Sequence, residues 1–135
     1  MERTIHKQEI NMTEALMNRI NELIGHYPEE NRKSALIPVL HEVQDAHQNW
    51  LSIELMNKVA EIIQIKPIEV YEVVSFYTMF NQKPIGKYMF EFCQTSPCCL
   101  NGAENLMDYT CEKLGINLGE TTEDGNFTVV GVECL

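Results

Sequence analysis

The chain changes its hydrophobic period once, at Lys83-Pro84-Ile85-Gly86, and that switch constrains the fold more than any other feature. Before it, apolar residues recur at three- and four-residue intervals, the period of helices that bury one face. After it come two short β-type runs with a helical pattern between them. Four helices followed by strand, helix, strand make an α+β chain, with a helical bundle over residues 1–84 and an α/β part over residues 85–135.

Residues 1–12 are polar and aperiodic, and read as a mobile tail or a partner-docking arm. Thr13 then suits an N-cap, with Leu16, Ile20, Leu23 and Ile24 on one helical face, and Gly25 and Pro28 end the element. The spacing predicts a second helix from about Lys33 to Asn49, interrupted near its start by Pro38, with Leu36, Val39, Leu40, Val43, Ala46 and His47 on the apolar side and Trp50 and Leu51 over its end. Ser52 caps a third helix with the buried stripe Leu55, Met56, Val59, Ala60 and Ile63. Pro67 opens a fourth, because its missing N–H is no loss at the first helical position. That helix leads through Ile68, Val70, Tyr71 and Val74 into the apolar segment Ser75 to Phe80. Phe76, Tyr77, Met79 and Phe80 read either as a helix-to-domain core contact, the commoner use of such a run, or as a docking patch.

Beyond Pro84, Lys87 to Cys93 is an aromatic-rich strand, Leu100 to Leu114 a helix closed by Gly115, and Phe127 to Val132 a second strand after the Asp124-Gly125 turn. Leu100, Ala103, Leu106, Met107, Cys111 and Leu114 fall at helical spacing between them. The order suggests a parallel β-α-β unit.

Charge and length exclude several classes of function. Ten Lys and Arg stand against twenty Asp and Glu, a formal charge of −10 that repels a phosphate backbone, so nucleic-acid binding is not expected. The acid excess is steepest in the last third. With 135 residues the chain is too short for a large multidomain enzyme. No apolar run approaches a membrane span and the opening residues do not resemble a signal peptide, which points to a cytoplasmic protein without direct membrane insertion. His41 and His47 are six apart and do not share a helical face as a metal pair would, and no Ser-His-Asp set, phosphate-binding glycine loop or paired carboxylate site stands out.

Five cysteines without a secretion signal argue against a disulfide framework and leave metal or redox use as the leading reading. Cys93 ends a strand, Cys98 follows at a helix start with four residues between, and Cys134 ends the next strand. Adjacent parallel strands would carry all three to the same edge, where thiolates suit iron. The hydroxyls of Thr95 and Ser96 stand between the first two, positioned to bond cluster sulfurs. The plainer alternative is that these cysteines are small buried residues. No Cys-x-x-Cys supports a dithiol enzyme, and no second closely spaced pair supports zinc. Cys99 reads as loop packing and Cys111 as core.

Several segments in order carry a family resemblance: Leu40-His41-Glu42-Val43-Gln44, Trp50-Leu51, Val70 to Phe80, Pro84-Ile85-Gly86-Lys87-Tyr88, Cys93-x4-Cys98 with Asn101-Gly102-Ala103, Gly119 to Gly125, and Val132-Glu133-Cys134-Leu135. Together they resemble the thioredoxin-like 2Fe-2S subunit of NADH:quinone oxidoreductase and of related electron-bifurcating hydrogenases and formate dehydrogenases. The resemblance implies a helical bundle, residues 1–84, followed by a thioredoxin-like 2Fe-2S ferredoxin domain, residues 85–135. It implies Cys93, Cys98 and Cys134 as cluster ligands, with FMN and NAD in a partner flavoprotein subunit and further iron-sulfur subunits beside it. The family's fourth ligand would fall three residues past Leu135, so the thioredoxin-like unit reads as incomplete and the chain as C-terminally truncated. The function implied is one-electron exchange with the partner's flavin, in an electron-transfer subunit that is not itself catalytic. The alternative is a cluster-free docking or structural subunit of the same kind of complex.

Overall fold

The structure, a computed structural model, describes residues 7–134. It divides after Pro84 into two compact units. In the first, α1 (Glu14–Gly25) is capped as expected: the Thr13 hydroxyl accepts from the Leu16 N–H at 3.3 Å, and Leu16, Ile20, Leu23 and Ile24 are buried. The expected second helix divides. A 3-10 helix, Glu29–Ala35, precedes α2, Leu36–Ala46. Pro38 explains the division. A helix begun at Lys33 would hold it in the interior, where its ring meets the preceding turn, whereas starting at Leu36 leaves it in the first turn, where no N–H is required. At the other end α2 stops at Ala46, short of the expected Asn49, because Gln48 and Asn49 both take φ of 60°.

One expectation for the face of α2 is corrected. Ala46 is exposed, and Gln44 is buried instead. Its carboxamide donates to the Met79 carbonyl at 3.1 Å and accepts from the Asn81 N–H at 2.8 Å, so a polar side chain replaces apolar contact with a clamp on a loop. His47 is buried and fully used: Nδ1 donates to the Val43 carbonyl at 2.8 Å and Nε2 accepts from the Asn11 N–H at 3.1 Å. The opening arm is likewise not loose from Lys7 on. Gln8 donates to the His47 and Trp50 carbonyls at 2.7 and 3.0 Å and accepts from the Ser52 N–H at 3.0 Å. Residues 1–6 of the expected tail lie outside the described residues.

Helix α3 (Ile53–Ile63) buries the five residues expected of it, and the Ser52 hydroxyl accepts from the Leu55 N–H at 3.2 Å. Helix α4 (Pro67–Phe76) begins at Pro67 and turns Val70 and Val74 inward. Glu69 secures its first turn, accepting from the Lys66 N–H at 2.9 Å and pairing with Lys33 at 2.7 Å. The apolar segment after it splits in two. Phe80 is buried against the His41 ring, while Phe76, Tyr77 and Met79 are exposed, so the core reading holds for Phe80 alone.

The second unit pairs β1 (Tyr88–Cys93) with β2 (Phe127–Val132) in parallel, in a register running from Tyr88 opposite Phe127 to Cys93 opposite Val132. The single helix expected between them is two, α5 (Ser96–Leu100) and α6 (Ala103–Leu114). Gly102, at φ of +93°, breaks the path in a conformation that favours glycine. The expected stripe is therefore only partly inside: Leu100 and Leu106 are exposed, and Ala103, Met107, Cys111 and Leu114 half-buried. The whole is mixed helix and small parallel sheet, and no helix among the described residues is long and apolar enough to cross a membrane.

Thr128 holds the start of both strands. Fully buried, its hydroxyl accepts from the Gly86 N–H at 2.6 Å and meets the Thr121 hydroxyl at 2.7 Å. Gly86 has to be glycine here, since a Cβ would stand 2.8 Å from the backbone of Asn126 and Phe127. Thr128→Val keeps the shape and strips the acceptor, leaving two polar groups unmet at a cost of about 1–3 kcal/mol. Amide hydrogen exchange should show Phe90 and Val129 losing about tenfold or more of their protection, at about 1.4 kcal/mol per decade, while the amides of α3 are unchanged.

Candidate metal centre

Parallel pairing puts the C-terminal ends of β1 and β2 side by side. Cys93 is the last residue of β1, and Cys134 follows β2 by two residues, at the same end of the sheet. The turn after β1 is short because Gln94 continues the ladder, its N–H donating to the Val132 carbonyl at 2.8 Å. Pro97 then fits the first turn of α5, and Cys98 is the third residue of that helix. Its thiol is within hydrogen-bond reach of Cys93, and Cys134 is near enough to act on it electrostatically.

Of the three sequence-derived candidates, Cys93 and Cys98 are thus brought within hydrogen-bond reach of each other and Cys134 to the same edge. Among the described residues no group of three or more His, Cys, Asp or Glu closes on a single metal ion. A diiron cluster asks for less at each metal, because its four thiolates are shared as two per iron. A close pair with a separate third cysteine beyond it is the donor set such a cluster would take from this chain.

Electrostatics point the same way. The Cys98 thiol is held above its ordinary pKa, first by its hydrogen bond with Cys93, then by partial desolvation and by the charge of Cys93, with Cys134 adding to the effect and the Thr95 hydroxyl opposing it. Neighbouring thiols resist becoming neighbouring anions. A bound cation removes that resistance, since it stabilises both thiolates at once. No disulfide joins any of the five cysteines.

Cys99 is not in a loop but in α5, half-buried, and its thiol is raised by desolvation and by the Glu104 carboxylate beside it. Cys111 is half-buried on α6 and not in a closed core.

The Thr95 hydroxyl stands at the sulfurs as expected from the sequence, whereas the packing of Gln94 was not read from it. The Thr95 hydroxyl lies 3.0 Å from the Cys93 sulfur. Gln94, between them in sequence, lays its carboxamide where a side chain on Gly131 would otherwise sit. A glycine inside the β-branched run Val129 to Val132 is the signal for such a close approach.

Known proteins resemble this chain in sequence and in fold. Residues 20–135 match the family described as thioredoxin-like [2Fe-2S] ferredoxin. The mitochondrial NADH dehydrogenase [ubiquinone] flavoprotein 2 of Dictyostelium discoideum is 43% identical over 123 residues, which are 91% of this chain and 50% of that protein. An NADH-quinone oxidoreductase subunit of Rickettsia conorii is 41% identical over 119 residues, 88% of this chain and 71% of the relative. The chain therefore spans half the length of the first relative and a little over two thirds of the second. A crystal structure of NAD+-reducing [NiFe]-hydrogenase in the H2-reduced state shares the fold, with a TM-score of 0.62 and 23% identity over 73% of this chain and 16% of that one. Because the family match takes in both strands and all three candidate cysteines, the chain belongs to the thioredoxin-like [2Fe-2S] ferredoxin family, whose name carries its cofactor, the 2Fe-2S cluster.

Proposed function

We propose that this chain is the electron-transfer subunit of an NADH-dehydrogenase-like or electron-bifurcating complex, and that Cys93, Cys98 and Cys134 are its own ligands to a 2Fe-2S cluster. The observation that carries the reading is the parallel pairing that places Cys93 at the end of β1 and Cys134 just beyond the same end of β2, with Cys98 in α5 within hydrogen-bond reach of Cys93. When bound, the cluster supplies a carrier for single electrons. The chain's own part is to hold it at a sheet edge: Cys93 is fixed by the strand ladder, Cys98 by α5, and exposed Cys134 marks the side open to solvent and to a partner.

The partner in this reading is an FMN- and NAD(H)-binding flavoprotein subunit, with further iron-sulfur subunits behind it. The names of the relatives support it, since both belong to NADH-oxidising complexes. So does the surface of the first unit, where a groove of about 300 Å³ runs between α3 and α4, lined by Ile53, Met56, Ile68, Tyr71 and Glu72. Ile53 is 59%, Ile68 56% and Phe76 77% exposed, so α4 carries an apolar face outward as well as the one it buries. Such a surface is expected of a subunit that works in contact with another.

A second reading, a docking subunit without a cluster, is favoured by the lack of any three-ligand group among the described residues. Iron and acid-labile sulfide decide between the two. Protein purified anaerobically with its accompanying subunits should hold the two irons and two sulfides of one such cluster per chain, and Cys93→Ala or Cys98→Ala should abolish them with the visible absorbance. Full retention in both variants, or no iron in the folded complex, selects the second reading.

The metal-free protein offers a pH test. A raised thiol pKa keeps Cys98 protonated to higher pH, so its alkylation should be slower than that of an ordinary cysteine at pH 8 and should rise through a midpoint displaced upward. Cys93→Ala removes the largest cause and should move that midpoint down, as followed residue by residue by mass spectrometry.

Phe76→Asp tests the docking face. It should weaken assembly with the accompanying subunits by about thirtyfold, the effect of losing one well-packed aromatic anchor, and should move the chain's own stability by no more than about 0.5 kcal/mol. Unaltered affinity by titration calorimetry would remove this face from the interface.

A further inference from the structure

Three hydroxyl residues occupy helix N-cap positions, and they are not used alike. Thr13 and Ser52 do what such residues do, each accepting a backbone N–H from three residues on, at 3.3 and 3.2 Å. Thr95, at the start of α5, has the same extended backbone, φ −78° and ψ 157°, yet makes no side-chain cap. Its carbonyl accepts from the Cys99 N–H at 3.0 Å, so the turn closes through the backbone alone. The hydroxyl lies 3.0 Å from the Cys93 sulfur and also reaches the Cys98 thiol. A cap residue has given up its cap for a pair of sulfurs.

From this contrast, and resting on the cluster reading above, we infer that Thr95 is the residue by which this chain sets the potential of its iron-sulfur cluster, through a hydroxyl hydrogen bond to the Cys93 sulfur. With both cysteines protonated, either the thiol or the hydroxyl can donate. A metal-bound thiolate has no proton, so the hydroxyl becomes the donor and the bond becomes charge-assisted. Its strength follows the electron density on sulfur. That density is greater in the reduced cluster, so the bond favours reduction and raises the potential.

Ordering the hydroxyl also positions the ligands. Thr95 lies between Cys93 and Cys98 in sequence, and the ladder bond from the Gln94 N–H to the Val132 carbonyl fixes the backbone leading to it. The absence of a side chain at Gly131 leaves room for the Gln94 carboxamide beside that turn. The hydroxyl is therefore aimed by backbone that the sheet already holds.

The test is an EPR-monitored redox titration of the protein in its complex, wild type against Thr95→Val, Thr95→Ala and Thr95→Ser, with iron and sulfide measured on each. Thr95→Val and Thr95→Ala should keep both irons and lower the potential, with the one-electron equilibrium constant moving by up to tenfold, which is about 59 mV. Thr95→Ser, which keeps the hydroxyl, should restore the wild-type value. Resonance Raman supplies a second readout: the iron–sulfur stretches of wild type and Thr95→Ser should shift more in deuterium oxide than those of Thr95→Val. An intact cluster with unchanged potential and an unchanged deuterium shift in Thr95→Val overturns the inference. Loss of iron from both Thr95→Val and Thr95→Ala overturns it too, since Thr95 would then be holding the site and not tuning it. A wild-type complex without iron fails the cluster reading itself, which is a different result from a full cluster that ignores Thr95.

Discussion

Parallel pairing between β1 and β2 settles where each chemical group of the second unit ends up. Antiparallel partners would place Cys93 and Cys134 at opposite ends of the sheet, because each lies at or just past the C-terminal end of its own strand. In parallel, with Cys93 opposite Val132, both leave the sheet at one edge, and the α5 turn returns Cys98 to the same place. That pairing depends in turn on the closeness of the two strand starts. Gly86 permits the approach and Thr128 bonds across it, so groups at the far end of the strands set the register that the cysteines inherit. A one-residue slip would turn every side chain of β2 to its other face.

The first unit is organised by a related device, polar side chains that tie loops in place, buried at Gln44 and His47 and half-buried at Gln8. Gln44 holds the residues after α4, Gln8 holds the link between α2 and α3, and His47 holds the opening arm. Each satisfies backbone groups that would otherwise be desolvated without partners. This leaves the outer surface of α4 free of structural duty. Its apolar residues Ile68 and Phe76 gain nothing for the unit's own core, which already has Val70 and Val74, and so they speak for contact with something else.

Helices with a clean stripe and a hydroxyl cap were legible at sequence level to within a residue. Thr13 and Ser52 opened α1 and α3, and their stripes buried as spaced. The places that were not legible share one cause: periodicity reports which residues are apolar and is silent on backbone conformation and on polar partners. The break at Gly102, the early stop of α2 at paired left-handed residues, and the burial of Gln44 in place of Ala46 all turn on those silent terms. At the site, Cys-x4-Cys and a third cysteine after a second strand were enough to place three sulfurs at one edge. The Thr95 hydroxyl beside the sulfurs was legible as well; that it stands at a helix start and leaves it without a side-chain cap was not, because spacing is silent on which partner a hydroxyl takes.

Charge gives the Thr95 contact its significance. The second unit carries two basic residues against eight acidic ones, and a cluster on thiolates adds further negative charge to it. Both effects oppose taking up an electron and so depress the potential. Few counter-charges are at hand, since Lys87 and Lys113 are the only basic residues after Pro84. Lys87 precedes β1, at the opposite end of the strand from Cys93. A short-range donor is then the means left to the chain for offsetting its own field at the sulfurs. A hydroxyl suits that task better than another lysine would, because it adds no charge to the surface a partner must read and acts only on the atom it touches. In the cluster-bound state inferred above, the Thr95 hydroxyl, 3.0 Å from the Cys93 sulfur, acts on one sulfur and leaves the acidic charge of the unit as it is.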